Sequence, residues 1–246
     1  MPTICSIHQP SFWPYLGLFD KIVRSDVFVF LDDVQFVKNE FKNRNRLFVN
    51  SVKSPQRTEV AWLTLPVRQE AMLQTIRETR LTLVPQTIRK HLALLSQAYS
   101  RAPAFAEVWP LVERLYRSHE RDDVSLADIN EGLTRLVVEW LGVTTVLPDA
   151  SSRIAGLSSD PTQRLIDICK HVGADTYLAG AGGRSYMQVE EFERQGIRLI
   201  WQEWHPAPYR QAHSPELFVP YLSCLDLMFN HGSEARSCFK STCHVH

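Results

Sequence analysis

Residues 3–35 read TICSIHQPSFWPYLGLFDKIVRSDVFVFLDDVQ, and this stretch decides the predicted fold. Residues 3–7 and 27–31 are short and almost wholly apolar, which is typical of strands buried on both faces. Between them, the apolar residues from Tyr15 to Arg24 are spaced as on one face of a helix. A strand, a helix and a strand with short connections form a βαβ unit, whose two strands should be parallel.

Further strands and helices are predicted along the rest of the chain. The strands are predicted at residues 47–49, 62–66, 75–83, 143–147, 175–179 and 197–201. The helices are predicted at residues 86–99, 104–119, 125–141, 160–171, 185–195 and 222–230. Asp160 and Pro161 are typical of an N-cap and the first helical position, and Gly196 is typical of a residue that closes a helix.

The predicted fold class is therefore α/β, with a mostly parallel, Rossmann-like sheet and an inserted helical block. We expect one globular unit of three parts. Residues 1–84 form an N-terminal βαβ part with a basic loop, and residues 85–142 form a helical insert or cap. Residues 143–246 form a C-terminal α/β part that completes the same sheet.

Composition excludes several classes of protein. The chain has 27 basic and 27 acidic residues, and this balance argues against a broad nucleic-acid surface. No apolar run approaches the length of a membrane span, and no signal peptide is recognised at the N-terminus. The five scattered cysteines are typical of reduced thiols in a cytoplasmic protein. The tail from Cys238 to His246 could bind zinc in isolation, but a frayed terminus explains it better.

Polar side chains follow the first two predicted strands directly. His8 and Gln9 come after the first strand, and Asp33 and Gln35 come after the second. Ligands of open α/β sheets bind at the carboxyl ends of the strands, so we expect one wall of a site here. Adjacent acids such as Asp33 and its neighbour could orient an amine or hold a metal–phosphate pair, or one could cap the next segment.

His8 itself allows two interpretations. It could contact phosphate or act in acid–base catalysis, as in nucleotidyl-transferring α/β proteins with a histidine in this turn. Those proteins carry a second histidine three residues on, where this chain has Ser11. A lone histidine more often caps the following turn.

Residues 38–46 form a basic run. Its cations and two of its asparagines are Lys38, Lys42, Arg44, Arg46, Asn43 and Asn45. The cations could bind a pyrophosphate, for which arginine is the better bidentate partner, and the asparagines could contact a sugar or base. A solvated loop is the usual explanation for such a run, but Phe41 and Leu47 tether this one and favour a folded wall.

The sequence from Gly180 to Tyr186 is a glycine-rich turn that can direct backbone N–H groups at an anion. We predict that Gly182, Gly183, Arg184 and Tyr186 bind substrate, with Arg184 adding a charge. The spacing matches neither the dinucleotide fingerprint nor a P-loop, and an ordinary tight turn explains it equally well.

Residues 201–211, WQEWHPAPYRQ, are dense in aromatic residues and prolines. Aromatic faces stack on sugars and bases, and prolines hold a loop without further ordering cost. His205 or Glu203 could serve as a general base, and Tyr209 and Gln211 are candidate substrate contacts. Alternatively, the segment is a connection that packs its tryptophans on the core. Asp226 and Asn230, four apart on the last helix, are predicted to brace neighbouring loops.

Several motifs together resemble the WbqC-like protein family. They are IHQP (7–10), PYLG (14–17), FDKI (19–22), SDVFV (25–29), LDDVQF (31–36), NRN (43–45), WLTLPV (62–67), YLAG (177–180), GRSY (183–186), HP (205–206), LSCLD (222–226) and FNHG (229–232). The resemblance implies a product of an O-antigen or related surface-polysaccharide gene cluster. It also implies transfer of glycine or another aminoacyl group to a sugar.

We therefore expect a cytoplasmic acyl or aminoacyl transferase acting on an amino sugar or nucleotide-linked sugar. The basic run and the glycine turn would hold phosphates or a carboxylate, and no metal site is expected. His8 or His205 would deprotonate the sugar amine, with Asp33 orienting it. Activation of the acyl group by adenylation would require ATP and Mg²⁺. The alternative is a non-catalytic ligand-binding or scaffold protein of a polysaccharide cluster.

Overall fold

The structure, a computed structural model, describes residues 2–50, 58–68, 70–212 and 218–235, which fold as an α/β protein. Its strands are β1 (Ile4–His8), β2 (Val27–Phe30), β3 (Arg44–Asn50), β4 (Thr58–Thr64), β5 (Val67–Arg68), β6 (Arg80–Leu81), β7 (Thr176–Ala179) and β8 (Arg198–Trp201). Its α-helices are α1 (Leu16–Val23), α2 (Val84–Tyr99), α3 (Phe105–Ser118), α4 (Leu126–Leu141), α5 (Pro161–His171), α6 (Val189–Arg194) and α7 (Cys224–His231).

The central sheet has four parallel strands in the order β2, β1, β7, β8. The predicted parallel pairing of β1 with β2 is confirmed, with Cys5 opposite Val27 and His8 opposite Phe30. On its other side β1 pairs with β7, so the two ends of the chain contribute to one sheet. Two antiparallel pairs, β3 with β4 and β5 with β6, lie outside this sheet.

Helices cover both faces of the central sheet. Because side chains alternate along a strand, Phe28 and Phe30 enter one apolar cluster and Val29 enters the other. The larger cluster packs the middle helices α2–α4 with α1 and α7. The smaller one packs Ile7 and Tyr177 against α5 and α6. Burial on both faces explains the unbroken apolar runs of β1 and β2.

Two predicted helix-end signals are confirmed, at the start of α5 and after the end of α6. The Asp160 side chain accepts a hydrogen bond from the Gln163 backbone N–H at 2.8 Å, and Pro161 is the first residue of α5. Gly196 follows α6 with a left-handed φ of 76°, which a residue with a side chain rarely adopts. None of the helices in the described ranges is long and apolar enough to cross a membrane.

Two predicted strands are much shorter than expected. Residues 75–79 form a turn closed by the Thr79 N–H and the Thr75 carbonyl, 3.1 Å apart, so only β6 remains of the strand at 75–83. The strand at 143–147 is reduced to one parallel bridge from Val146 to Val27 at the sheet edge. Next to this bridge, the Thr145 side-chain hydroxyl donates a hydrogen bond to the Ile22 carbonyl.

The helix predicted at 185–195 is divided. A 3-10 helix occupies Ala181–Ser185, and α6 begins only at Val189. The C-terminal tail with Cys238 and Cys243 lies outside the described residues.

A buried polar chain joins the loop after β1 to the middle helices. The Trp13 indole N–H donates to the Tyr116 hydroxyl at 2.9 Å, and that hydroxyl lies 3.1 Å from Nδ1 of His91. His91 Nε2 lies 2.9 Å from the Thr64 carbonyl oxygen. Because a carbonyl can only accept, Nε2 carries the proton and Nδ1 accepts from Tyr116. The imidazole is therefore held neutral.

Acid should weaken the fold through His91. Burial lowers the pKa of this histidine from 6.5 to about 4, so protonation favours the unfolded chain. The contribution of His91 to the free energy of unfolding is complete above about pH 6.5 and is lost as the pH falls to about 4. We expect a loss on the order of 3 kcal/mol, measured by urea denaturation across this range.

His91→Gln is the control, because glutamine does not titrate and every other ionisable group is unchanged. Its free energy of unfolding should vary less over the same pH range, by about the loss expected for the imidazole. Parallel pH profiles for the two proteins would contradict the assignment.

Candidate functional site

Two adjoining cavities open at the carboxyl ends of β1 and β7. The first has a volume of about 320 Å³ and the second about 240 Å³. His8, Lys21, Gly180 and Gly182 line both, and therefore mark the place where the cavities meet. The strand order reverses between β1 and β7, and ligands of open α/β sheets bind at such a point.

Lys21 is the least expected residue of the site. It lies within α1, only 3% exposed, and its ammonium donates a hydrogen bond to the Ile7 carbonyl at 2.9 Å. Within the described ranges no carboxylate pairs with it. Burial lowers the pKa of Lys21 to about 8, so the cation persists at neutral pH without a counter-charge.

His8 ends β1 beside this lysine and is partly exposed to the cavities. Its Nδ1 donates to the Gln9 carbonyl at 2.8 Å, which leaves Nε2 as an acceptor. Burial lowers the pKa of His8 to about 3, and the positive charges of Lys21 and Lys42 act in the same direction. His8 is therefore a neutral imidazole at physiological pH.

A second buried lysine lines the first cavity only. Lys42 forms an ion pair with Glu40, and both side chains face this space together with Phe41. The Asn130 amide donates to the Lys42 carbonyl at 2.7 Å and so fixes this segment against α4. The first cavity thus holds two lysines and one carboxylate, which is a net positive lining.

The glycine turn forms the opposite wall. A Cβ on Gly183 would lie 2.4 Å from the Met187 methyl carbon, whereas Gly182 faces open space. Both glycines line the first cavity, as does the half-exposed ring of Tyr186. Glycine at 183 therefore leaves room for the Met187 side chain, which also lines the first cavity.

Aromatic side chains form the far wall of the second cavity. The ring of Trp204 lies edge-on to Tyr15 at 5.5 Å and to Tyr221 at 6.1 Å between centroids. All three rings line this cavity, and Gln202 lies beside them. The Gln202 amide donates to the Gly17 carbonyl at 2.8 Å and to the Asp20 carboxylate at 2.7 Å.

The structure places Asp33 in a structural network. Asp33 accepts from the Arg164 guanidinium and, at 2.5 Å, from the Ser151 hydroxyl. Its neighbour Asp32 is fully buried and pairs with Arg77. Neither aspartate lines the two cavities.

Four other predicted site residues are exposed and lie outside both linings: Gln35, Lys38, Arg184 and His205. The Arg184 guanidinium lies over the ring of Trp201, 4.4 Å from its centroid. Trp204 lines the second cavity, whereas His205, the next residue in the chain, does not.

Arg44 and Asn45 also contact protein groups. The Arg44 guanidinium lies 4.2 Å from the centroid of the exposed Trp62 ring. The buried Asn45 amide donates to the carbonyls of Phe12 and Trp13 at 3.2 and 2.7 Å. Asn45 thus holds the loop that follows β1.

Tyr209 and Gln211 contact α7. The Tyr209 hydroxyl and the Gln211 amide donate to the Asp226 carboxylate at 2.9 and 3.0 Å. Asn230 accepts from the Ala212 backbone N–H at 2.7 Å. These contacts confirm that the two polar residues of the last helix brace neighbouring loops.

The cavities thus bring together some of the predicted residues, namely His8, Gln9, Gly182, Gly183 and Tyr186. Sequence reasoning missed Lys21, although a signal was present. Lys21 follows the buried Leu18 by three positions and so shares its apolar helix face. Within the described ranges, no cluster of three or more His, Cys, Asp or Glu side chains could hold a metal ion.

Comparison with known proteins gives one family. The family model described as the WbqC-like protein family matches residues 9–238. The uncharacterised protein Rv1507c of Mycobacterium tuberculosis is 33% identical over 234 residues, covering 94% of this chain and 94% of the relative. No solved structure matches.

Replacing Lys21 should change the basicity of His8. Lys21→Met removes the charge that most lowers the pKa of His8 after burial itself, so this pKa should rise from about 3 toward 6.5. NMR titration of the His8 ring would measure it. Lys42→Met is the matched control and should raise the pKa less, because Lys42 is the weakest contributor. Equal shifts would contradict the placement of Lys21 beside His8.

Proposed function

The chain belongs to the WbqC-like protein family, and we propose that it is an acyl or aminoacyl transferase. The acceptor is the amine of an amino sugar, free or nucleotide-linked, and the pathway is surface-polysaccharide biosynthesis. The proposal includes a Rossmann-like, nucleotide-binding layout for the sheet. The strand order β2, β1, β7, β8, with its reversal between β1 and β7, supports that layout.

One observation carries the proposal: Lys21 is a buried cation without a carboxylate partner in the described structure, where the two cavities meet. A buried charge is costly unless it is paired. Its ammonium has three donors, of which the Ile7 carbonyl uses one. An anionic group of a ligand, such as a phosphate or carboxylate, would supply the missing counter-charge.

In this proposal His8 acts on the acceptor. Its Nε2 is an acceptor and therefore suits the N–H of a neutral attacking amine. A bound anion beside Lys21 would cancel part of the positive field that lowers the pKa of His8. The imidazole would then become a stronger base when the ligand is bound than when the site is empty.

The transfer can be written with these groups alone. The amine nitrogen attacks the acyl carbonyl carbon, and a C–N bond forms. His8 Nε2 takes the proton that the nitrogen loses, and the Lys21 ammonium stabilises negative charge on the acyl oxygen or the donor phosphate. The bond to the leaving group then breaks, and the leaving group departs with the electron pair and the proton from His8.

Asp33 and His205 remain proposed catalytic groups only if the loops that carry them move. Asp33 would have to exchange Arg164 for the substrate amine, and His205 would have to turn inward beside Trp204. Gln35, Lys38, Arg44, Asn45, Arg184, Tyr209 and Gln211 likewise stay proposed substrate contacts.

A second candidate is a non-catalytic binding protein of the same biosynthetic process. The low basicity of His8 favours it, because a histidine with a pKa of about 3 is a poor proton acceptor in the empty site. Under this alternative the cavities would bind a sugar or nucleotide without changing it.

Incubation with amino sugars, nucleotide-linked amino sugars and acyl donors, followed by mass spectrometry, separates the two candidates. We expect an acylated amino sugar from the native protein and a rate lowered by about 10²–10⁴ in His8→Gln. His171→Gln, which changes an exposed histidine outside both cavities, should retain full activity. Tight binding without product across the panel would leave only the binding-protein candidate.

A further inference from the structure

We propose that the second cavity is the subsite for the acceptor's sugar ring, while the first cavity takes the anionic part of the acyl donor. This inference rests on the proposed function and adds which ligand occupies which cavity. The acceptor would lie against Tyr15, Trp204 and Tyr221, with its amine directed toward His8.

The lining of the second cavity is suited to a sugar. Aromatic faces and edges present apolar surface of the kind that packs against the C–H face of a pyranose ring. Among the described residues, only His8 and Lys21 bring ionisable nitrogen atoms to this cavity, and both lie where it joins the first. Its volume of about 240 Å³ is below the roughly 300–1,000 Å³ of sites for larger ligands, which favours a single ring over a whole nucleotide.

Gly17 is required for this aromatic wall. A Cβ at position 17 would lie 2.3 Å from a ring carbon of Tyr15 and 2.8 Å from one of Trp204. Glycine has a lower helix propensity than alanine, although Gly17 is only the second residue of α1. The space that Gly17 leaves is used by the two rings.

Gln202 offers the polar contact that would orient the ring. Its NH₂ group is occupied by the Gly17 carbonyl and the Asp20 carboxylate. These two acceptors fix which way the amide faces, since only nitrogen can donate to both. In the described structure no donor contacts Gln202 Oε1, so this oxygen can accept from a sugar hydroxyl or from the amine.

The first cavity differs from the second in its charge, although apolar side chains such as Ile7, Phe41 and Met187 also line it. Lys21 and Lys42 carry two positive charges into it against the single carboxylate of Glu40. Gln9 and the glycines of the Gly180–Tyr186 turn also line it, and the small glycines allow close approach of an anion. A phosphate or carboxylate of the donor would thus lie here, beside the junction at His8.

Separate binding measurements test this division. Saturation-transfer NMR with D-glucosamine reports on the second cavity, and phosphorus NMR with inorganic pyrophosphate reports on the first. Trp204→Ala should raise the dissociation constant for glucosamine about tenfold or more and leave that for pyrophosphate unchanged. Lys21→Met should weaken pyrophosphate binding about tenfold or more and leave glucosamine binding within a factor of a few.

Two further variants control for an unspecific loss of binding caused by a disturbed fold. Trp109→Ala removes another half-buried tryptophan, stacked on Phe105 in α3 and outside both cavities, and should change neither affinity. Gly17→Ala keeps every aromatic side chain but displaces two rings of the wall. It should weaken glucosamine binding and leave pyrophosphate binding unchanged, even where the crowding lowers the melting temperature.

Equal loss of both ligands in Trp204→Ala, with the fold intact, would overturn the division into two subsites. So would unchanged glucosamine affinity in both Trp204→Ala and Gly17→Ala. The proposed function fails by a different result, because absence of any acylated product leaves these binding affinities as they are. Selective binding without product would retain the sugar subsite and remove the transferase.

Discussion

The buried ammonium of Lys21 is the constraint on which the rest of the site depends. A cation removed from water costs several kcal/mol unless its donors are satisfied, and the Ile7 carbonyl satisfies only one. That contact holds α1 against the end of β1 and places positive charge where the strand order reverses. Burial is the main reason that the pKa of the neighbouring His8 is low, and the Lys21 charge lowers it further, so both act together to keep the imidazole neutral.

The loop after β1 is fixed around this charge by polar side chains from other parts of the chain. Trp13 has a left-handed φ of 41°, which costs on the order of 1–3 kcal/mol for such a residue. Asn45 binds its carbonyl, and Tyr116 accepts from its indole N–H. Asn130 donates to the carbonyls of Pro10 and Lys42 and so ties the loop after β1 and the Lys42 segment to α4. The middle helices thereby position the site although they do not line it.

Local sequence signals predicted the parts of the fold that short-range physics determines. The apolar runs of β1 and β2, the caps of α5 and the glycine after α6 each depend on residues within a few positions. The position of Asp33 could not be predicted in this way, because its partner Arg164 lies 131 residues further on. The contacts of Tyr209 and Gln211 with Asp226 could not be predicted either, because nothing local indicates that this carboxylate accepts from both. Polar residues after a strand can serve the fold or the site, and only tertiary partners decide between them.

Lys21 could not be predicted from the polar residues of loops, because it lies within α1. A charged residue on the apolar face of a helix breaks the local pattern, and such breaks concentrate at functional positions. Lys42 and Arg44 illustrate the converse, since both belong to one basic run. One is buried in the cavity, and the other stacks on an exposed tryptophan. Strand pairing separates them, because Arg44 is the first residue of β3 and Lys42 still belongs to the preceding turn. The number of charged residues in a stretch of sequence therefore does not predict which of them line the site. The cost of burying a charge is the better guide, because a buried charge needs a partner.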